Sequence, residues 1–329
     1  MLSVGRVRYR VVVKHGLVTT ILPVHNRPGM LRDAVDSVLR QTYRPIELII
    51  VDDGSTDETS DVADTMARAH PDIRVIHQPN GGAGSAREAG RTAAAGEFIQ
   101  HLDSDDLLEP TKFAVQVAGL RERPECGISY GWTRMRFRDG GVHGAPWKGT
   151  GQRMDSMFPA MLQSRWWDTT TPLYRASLME KAGPWLTLRC EEDWEYDCRI
   201  AAFGVRLHFV EEWVSVTRQH GAHVSGQADA RTLHDRAVAH AAILGHARHF
   251  GITEDAPQMR HFARELFLLA RQCGAAGLTE ESARLFALAR AACGGERAGL
   301  QFRLYSLFAR LLGWKKMGKV SAMVDKLRT

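Results

Sequence analysis

The chain has 329 residues, of which 44% are hydrophobic and 25% charged, enough apolar content for a packed core in about two domains of roughly 100–200 residues each. This composition excludes disordered and collagen-like chains. The 43 Lys and Arg residues against 38 Asp and Glu leave a formal net charge of +5, and so small a surplus predicts no nucleic-acid partner unless it is concentrated in one stripe.

Cysteine usage and hydropathy indicate in which cellular compartment the protein is expected. The five cysteines are widely spaced and contain no C-x-x-C pair, which argues against a disulfide framework, a zinc site and a thioredoxin-type motif. The apolar run Val11–Val13 is too short for a signal peptide, and no stretch reaches the roughly 18–20 apolar residues of a spanning helix. We therefore expect a cytoplasmic protein whose membrane contact, if it has any, is peripheral, at the inner face of the plasma membrane.

Strands and amphipathic helices alternate from Leu17 onward, which is the pattern of βαβ units. The strand Leu17–Val24 precedes a helix that opens at Pro28 and carries apolar residues at helical spacing. The uninterrupted apolar run Ile46–Val51 predicts a strand buried on both faces. The sequence thus predicts an α/β fold with a Rossmann-like, mostly parallel sheet.

Acidic turns follow two of the predicted strands. One turn spans residues 52–57, and the strand Glu97–Leu102 ends in Asp103, Ser104, Asp105 and Asp106. A glycine-rich segment at 80–84 lies between them. Because ligands bind outside the carboxyl ends of strands in open α/β sheets, we expect both turns to face one site.

Asp103 and Asp105 are two residues apart in the second turn. This spacing lets two carboxylates reach one hard cation, Mg²⁺ or Mn²⁺, and leaves coordination positions for phosphate oxygens. The same pair also fits a solvated turn in which Asp caps a helix, so the D-x-D spacing taken alone leaves both interpretations open.

The chain divides by composition into an N-terminal extension (1–16), an α/β domain (17–226) and a helical C-terminal region (227–329). Beyond about Gly226, Ala, Leu, Arg and His recur at helical periodicity. Gly274–Gly277 separates two apolar-faced helices, Arg260–Gln272 and Thr279–Ala292, which predict one helical hairpin.

Five motifs in this order and spacing resemble glycosyltransferase family 2, the large inverting family with the GT-A fold. They are Pro23-Val24-His25-Asn26, the turn 51–57, Asn80-Gly81-Gly82 with Ala86-Arg87, the turn 102–106, and Glu192-Asp193-Trp194-Glu195. The resemblance covers Leu17 to Ser225, about two thirds of the chain. It implies a GT-A-type nucleotide-diphospho-sugar transferase fold with a C-terminal helical extension.

The resemblance also implies roles for individual residues. The nucleotide would be bound by Pro23, His25, Asn26, Asp53, Gly82, Arg87, Asp103 and Arg218. Asp105 would ligate the metal ion together with Asp103, and His220 is our choice for a third ligand, with His223 second. The family often has Tyr at the position of His25 and Asn at that of Glu88.

An inverting transfer needs a carboxylate that removes the proton of the acceptor hydroxyl as this attacks the anomeric carbon. By resemblance Asp193 is that general base, and Glu192 supports it or contacts the acceptor. An acidic helix start that complements the helix macrodipole explains the same residues, and the two interpretations are compatible.

Aromatic rings pack on the C–H faces of sugars, which makes Trp194 and Trp167, with Thr170, candidate acceptor residues. Packing of both tryptophans in the core is the alternative.

The last predicted helix has a broad apolar face followed by lysines. The apolar residues are Phe302, Leu304, Tyr305, Leu307, Phe308, Leu311, Leu312 and Trp314, and the lysines are Lys315, Lys316, Lys319 and Lys326. A basic amphipathic helix on an anionic bilayer and a helix packed on the preceding hairpin or on a second subunit both fit this pattern.

The resemblance therefore implies a metal-dependent inverting glycosyltransferase that moves a sugar from a nucleotide-sugar donor, expected to be UDP-linked, to a hydroxyl of a glycan or lipid-linked acceptor in cell-surface polysaccharide synthesis. A noncatalytic nucleotide- or glycan-binding module of the same fold and a sugar nucleotidyltransferase are the alternatives. The second of these would carry a glycine-rich, Arg- or Lys-bearing loop after the first strand, where this chain has Pro23-Val24-His25-Asn26.

Overall fold

A computed structural model describes residues 13–220, 229–294 and 300–326. Eight strands form one sheet within these ranges. They are β1 (Lys14–Val24), β2 (Ile46–Asp53), β3 (Ile73–Gln78), β4 (Gly96–His101), β5 (Leu107–Leu108), β6 (Cys126–Arg136), β7 (Leu173–Arg175) and β8 (Arg206–Arg218).

Helices cover both the strand connections and the C-terminal part of the chain. The first six are α1 (Pro28–Leu39), α2 (Thr59–Ala69), α3 (Ala83–Ala93), α4 (Lys112–Glu122), α5 (Ala176–Ala182) and α6 (Glu192–Ala201), with a short 3-10 turn at Ala160–Leu162. The C-terminal helices are α7 (Ala230–His249), α8 (Pro257–Ala276), α9 (Thr279–Ala292), α10 (Leu300–Leu312) and α11 (Trp314–Lys326).

The sheet has the order β3-β2-β1-β4-β7-β6-β8-β5. Its first four strands are parallel, with β1 paired to both β2 and β4, whereas β7 is antiparallel to β4 and to β6. The α/β fold with a mostly parallel sheet is therefore confirmed. Because the chain leaves β1 for β2 on one side and later places β4 on the other, the carboxyl ends of β1 and β4 form a topological switch point, where ligands bind in such sheets.

Burial explains why the predicted elements form. The β2 residues from Leu48 to Asp53 are all buried, as expected of a strand covered on both faces. The buried residues of α1 include Leu31, Ala34, Val35 and Val38, one face of a 3.6-residue period, and they pack in the cluster that also contains Leu48 and Ile50.

Three element boundaries differ from the sequence prediction. β1 begins at Lys14, inside the predicted extension. β8 continues to Arg218 although its apolar run ends at Val210, because β6 pairs with it over this length, including Trp132 with Trp213. The predicted last helix is two helices, because Gly313 has a φ of +83°, which ends α10 before α11 begins.

The C-terminal region contains the predicted hairpin, α8 and α9, and further helices pack around it. One hydrophobic cluster includes Ile21 and Tyr196 from the sheet domain together with Ile243, Phe262 and Leu285 from the helices. Within the described ranges, no helix combines the length and the hydropathy needed to cross a bilayer.

Candidate active site

A cavity of about 550 Å³ opens beyond the carboxyl ends of β1, β2 and β4 and extends to the start of α6. It lies where the topology predicts a ligand site. Nine of the predicted site residues line it: Pro23, His25, Asp53, Gly82, Arg87, Asp103, Asp105, Glu192 and Asp193.

The Asp53 carboxylate fixes the glycine-rich turn at one side of the cavity. It accepts hydrogen bonds from the backbone N–H groups of Gly81 and Gly82 at 2.9 and 2.8 Å and from the side chain of Gln78 at 2.7 Å. Gly82 has a φ of +85°, a conformation that favours glycine. Asp53 thus shapes this side of the cavity through its protein contacts.

Two predicted nucleotide residues lie beside this turn. The His25 ring nitrogen Nδ1 is 3.0 Å from the Asp53 carbonyl oxygen. Asn26 lies outside the cavity lining and ties the loop after β1 to the first acidic turn, where its Oδ1 accepts a hydrogen bond from the Thr56 N–H at 2.8 Å. Asn26 therefore orders the loop that carries His25.

Arg87 joins the two acidic motifs. Its guanidinium donates to Asp103 Oδ1 at 2.6 Å and to Glu192 Oε1 at 2.5 Å, and its side chain is 4% exposed. Burial opposes the charged form, but the two carboxylates raise the pKa of Arg87 above its ordinary value. Burial raises the pKa of Asp103 despite Arg87, and it raises the pKa of Glu192 to about 7.

Asp105 has a different environment. Its Oδ2 atom accepts from Arg27 Nη1 at 2.6 Å and lies 2.5 Å from His220 Nε2. Burial alone would raise the pKa of Asp105, but the Arg27 charge and the His220 contact hold it below its ordinary value. Arg27 and His220 therefore favour the ionised form of Asp105.

The donor chemistry of Asp105 and His220 fits a divalent cation, because carboxylate oxygen and imidazole nitrogen both ligate Mn²⁺. In the part of the chain that the structure describes, however, no three His, Cys, Asp or Glu side chains converge to hold a metal ion. Asp103 therefore does not join Asp105 and His220 in a preassembled set, since Arg87 holds it. His223 lies outside the described residues.

Arg218 supports the second acidic turn from β8. The guanidinium of Arg218 donates from Nε to the Asp105 carbonyl oxygen at 2.5 Å and from Nη1 to Asp33 Oδ2 at 2.6 Å. The backbone N–H of Arg218 donates to Asp106 Oδ1 at 3.2 Å. Arg218 does not line the cavity. It holds the D-x-D turn in position.

Asp193 lies at the first turn of α6, where Arg165 holds it. Arg165 Nη1 donates to Asp193 Oδ2 at 2.6 Å, and Thr169 Oγ1 donates to the same oxygen at 3.1 Å. Burial would raise the pKa of Asp193, but Arg165 and Arg87 lower it below the ordinary value. This carboxylate is thus ionised and able to accept a proton.

Two of the predicted acceptor residues are core residues in the structure. Trp167 and Thr170 are 0% exposed. The Trp167 indole donates to Asp197 at 2.8 Å, and the Thr170 hydroxyl donates to Asp106 at 3.0 Å. Both side chains are buried against these carboxylates and neither lines the cavity, so their assignment to the acceptor stays a prediction that the structure does not support.

Trp194 faces the helical region. Its ring lies edge-on to Phe262 at 5.9 Å and to His240 at 5.4 Å, and its indole N–H donates to the Met161 carbonyl at 2.8 Å. It does not line the cavity and packs against the hydrophobic cluster, which favours the packing alternative for Trp194.

Sequence reasoning missed three contributors to the site. Arg165 holds the candidate base, Arg27 pairs with Asp105, and Arg189 lines the cavity. None belongs to a motif. A buried basic partner is expected wherever several carboxylates converge, but which arginine supplies it depends on the fold.

Comparisons with known proteins identify similar sequences. The family described as Glycosyl transferase family 2 matches residues 19–178. An uncharacterized glycosyltransferase of Nostoc sp. (strain PCC 7120) is 30% identical over 232 residues, which are 69% of this chain and 72% of that protein. The uncharacterized glycosyltransferase EpsJ of Bacillus subtilis is 42% identical over 97 residues, 30% of this chain and 28% of EpsJ. The match therefore spans less than a third of EpsJ.

Solved structures share the fold. Residues 1–349 of TarS from S. aureus align with a TM-score of 0.67 and 17% identity, covering 94% of this chain and 91% of that one. The mannosyltransferase PcManGT from Pyrobaculum calidifontis, solved with GDP-Man and Mn²⁺, aligns with a TM-score of 0.52 and 20% identity over 94% of this chain and 86% of that one. The predicted GT-A-type fold with C-terminal helices is confirmed.

Proposed function

Because the chain belongs to glycosyl transferase family 2, we propose that it is a metal-dependent inverting enzyme that moves a sugar from a UDP-sugar to a hydroxyl of a glycan or lipid-linked acceptor in cell-surface polysaccharide synthesis. In this proposal the reaction takes place in the cytoplasm.

One observation carries the proposal. A single buried guanidinium, that of Arg87, is hydrogen-bonded to Asp103 on the donor side and to Glu192 on the α6 side. The expected donor-binding turn and Glu192, the chain neighbour of the candidate base Asp193, thus belong to one hydrogen-bonded network beside one cavity. A site that only bound a nucleotide would not require the second half of this network.

The donor class is supported by the fold neighbours. TarS has been solved in complex with UDP-GlcNAc, and that structure aligns with a TM-score of 0.65 and 17% identity over 94% of this chain. We assign the nucleotide to the side formed by Pro23, His25, Asp53 and Gly82, where backbone N–H groups and carboxylate oxygens are within reach of a base and a ribose.

Mn²⁺ or Mg²⁺ would be held by Asp105 with Asp103 and His220. The bound cation would supply neutralisation of the charge that develops on the leaving diphosphate. Arg27 and Arg87 would then release their carboxylate partners at least in part, since each pairs with an oxygen that the cation needs.

Asp193 would accept the proton of the acceptor hydroxyl as that oxygen bonds to the anomeric carbon and the bond to the diphosphate breaks. Arg165 keeps this carboxylate ionised and oriented. Glu192, with its pKa raised to about 7, supports it and interacts with the acceptor in our assignment.

The test is a panel of UDP-, GDP- and dTDP-sugars scored for slow metal-dependent donor hydrolysis, which needs no acceptor. We expect one UDP-sugar to be hydrolysed faster than the others, and chelation of the metal to abolish this. No hydrolysis of any donor would favour the noncatalytic alternative. Release of pyrophosphate from a nucleoside triphosphate and a sugar 1-phosphate would instead identify a nucleotidyltransferase.

A further inference from the structure

The helix α10 has two apolar faces, and the first is buried. The Tyr305 ring lies 5.0 Å from that of Phe267 in α8 and 5.6 Å from that of Phe286 in α9. Tyr305 is 5% exposed and Ala309 is 2% exposed. Packing on the hairpin of α8 and α9 therefore explains why this face of α10 is apolar, but it does not explain the second apolar face.

The second face is exposed to solvent. Four of its residues have the spacing i, i+3, i+4 and i+7, which places them on one side of the helix. The exposed fractions are 45% for Leu304, 52% for Leu307, 43% for Phe308 and 71% for Leu311, with 48% for the neighbouring Leu312. Five of the ten exposed large apolar side chains in the described ranges are therefore concentrated on one helix, and such a patch marks an interaction site.

Positive charge accompanies this face. Six basic residues and one acidic residue lie between Leu300 and Lys326. Gly313 ends α10, and the exposed residues Lys315, Lys316 and Lys319 follow directly on α11. The excess in this segment equals the net charge of +5 of the whole chain. An exposed apolar helix face that is followed directly in the chain by exposed lysines is complementary to a surface that is apolar and negatively charged.

We propose that the exposed face of α10 docks on an anionic lipid bilayer, with its leucines and Phe308 entering the boundary between headgroups and acyl chains and the lysines of α11 meeting lipid phosphates. A second copy of this chain fits less well, because its matching face would bring two like-charged segments together. The inference goes beyond the proposed sugar transfer and is independent of the donor.

The experiment is co-sedimentation of the full chain with vesicles of phosphatidylcholine alone and of phosphatidylcholine mixed with phosphatidylglycerol. We expect binding to the anionic vesicles to exceed binding to the neutral ones at least about tenfold and to weaken with added salt. The double variant Leu307→Gln, Leu311→Gln should lose binding at least about tenfold. Leu268→Gln is the matched control, since Leu268 is 39% exposed on α8.

Light scattering on the same proteins gives the oligomeric state, and thermal unfolding checks the fold, which substitution of exposed residues should leave unchanged. No binding of the wild type to anionic vesicles overturns the proposal, and so does binding that survives in the Leu307/Leu311 variant. A dimer that this variant dissociates, without vesicle binding, also overturns it and makes the second copy the occupant. Because the assay contains no sugar donor, these outcomes are separate from those of the hydrolysis panel.

Discussion

Asp52 and Asp53 are neighbours in the chain but point to opposite sides of β2, because successive side chains in a strand alternate. Asp53 faces the glycine-rich turn, whereas Asp52 accepts from Ser60 at 2.5 Å and pairs with His77 at 3.0 Å on the side of α2. The acidic turn therefore contributes one carboxylate to the cavity and another to the scaffold. The sequence of the turn alone does not show which of the two carboxylates lines the cavity.

Asp193→Asn should retain nucleotide affinity and lose transfer by about 100-fold or more, because an amide cannot accept the acceptor proton. Titration calorimetry with the nucleotide and a transfer assay measure the two properties separately. Asp61→Asn, at an exposed position of α2, is the control. Wild-type transfer rates in Asp193→Asn would refute the base assignment.

Asp105→Ala should remove the manganese-dependent part of nucleotide binding, lowering the enhancement by Mn²⁺ at least about tenfold, because a carboxylate expected to ligate the metal ion is lost. Nucleotide affinity measured with and without Mn²⁺ gives this enhancement. The exposed Asp72→Ala variant should behave like the wild type. An undiminished Mn²⁺ effect in Asp105→Ala would exclude Asp105 as a ligand.

At the scale of elements, side chains of α7 form ion pairs with the residue that precedes α6. Glu191 precedes α6 with a φ of +59°, and its carboxylate pairs with Arg236 at 2.8 Å and with His240 at 2.9 Å. Glu192 and Asp193 follow immediately. The helical region thus fixes the position of the residues assigned to catalysis.

Arg236→Gln should lower kcat about tenfold while the donor KM changes little, because a looser α6 start displaces the base without altering the nucleotide side. Steady-state kinetics with varied donor distinguish the two parameters. Arg231→Gln removes a charge from an exposed position of the same helix and should have no effect. Equal losses in both variants would indicate a general effect of charge.

The contact of His77 in β3 with Asp52 in β2 and Asp64 in α2 predicts that the stability of the fold depends on pH. The hydrogen bonds that the His77 ring donates to the carboxylates of Asp52 and Asp64 raise the pKa of His77 above 6.5. This contribution to stability is therefore complete below pH 6.5 and is lost as the pH rises through the raised pKa. His77→Gln should cost up to about 1 kcal/mol at pH 6, since the His77 side chain is 46% exposed, and nothing at alkaline pH.

Urea unfolding of wild type and His77→Gln at several pH values measures this difference. The exposed His70→Gln variant at the end of α2 provides the comparison. A stability difference that grows with increasing pH would contradict the assigned pairing.

At the scale of the whole molecule, the sheet domain and the C-terminal helices share one hydrophobic cluster. Phe262 of α8 is 0% exposed and contacts both Trp194 of α6 and His240 of α7. The compositional boundary near residue 226 therefore does not divide the core, and we expect one cooperative unfolding transition.

Phe262→Ala should lower the free energy of unfolding by about 3–5 kcal/mol and shift the entire transition, because the cavity it leaves lies between the two regions. Calorimetry of wild type and variant measures this shift. The Phe250→Ala variant, at an exposed position, should lower the free energy of unfolding by less than Phe262→Ala does. Two transitions, of which only one moved, would mean that the regions unfold independently.

Hydropathy periodicity and the order of the motifs predicted the fold class, most element positions and nine of the residues that line the cavity. Periodicity and motifs are visible in the sequence because they depend on neighbours along the chain. The tertiary structure decided the arginine partners Arg27 and Arg165, the burial of Trp167 and Thr170, and the two faces of α10. The physical reason is that ion pairs and burial depend on residues far apart in sequence. The net charge of +5 illustrates this difference. Its value follows from the composition. That the basic residues between Leu300 and Lys326 accompany an exposed apolar helix face follows only from the way α10 packs.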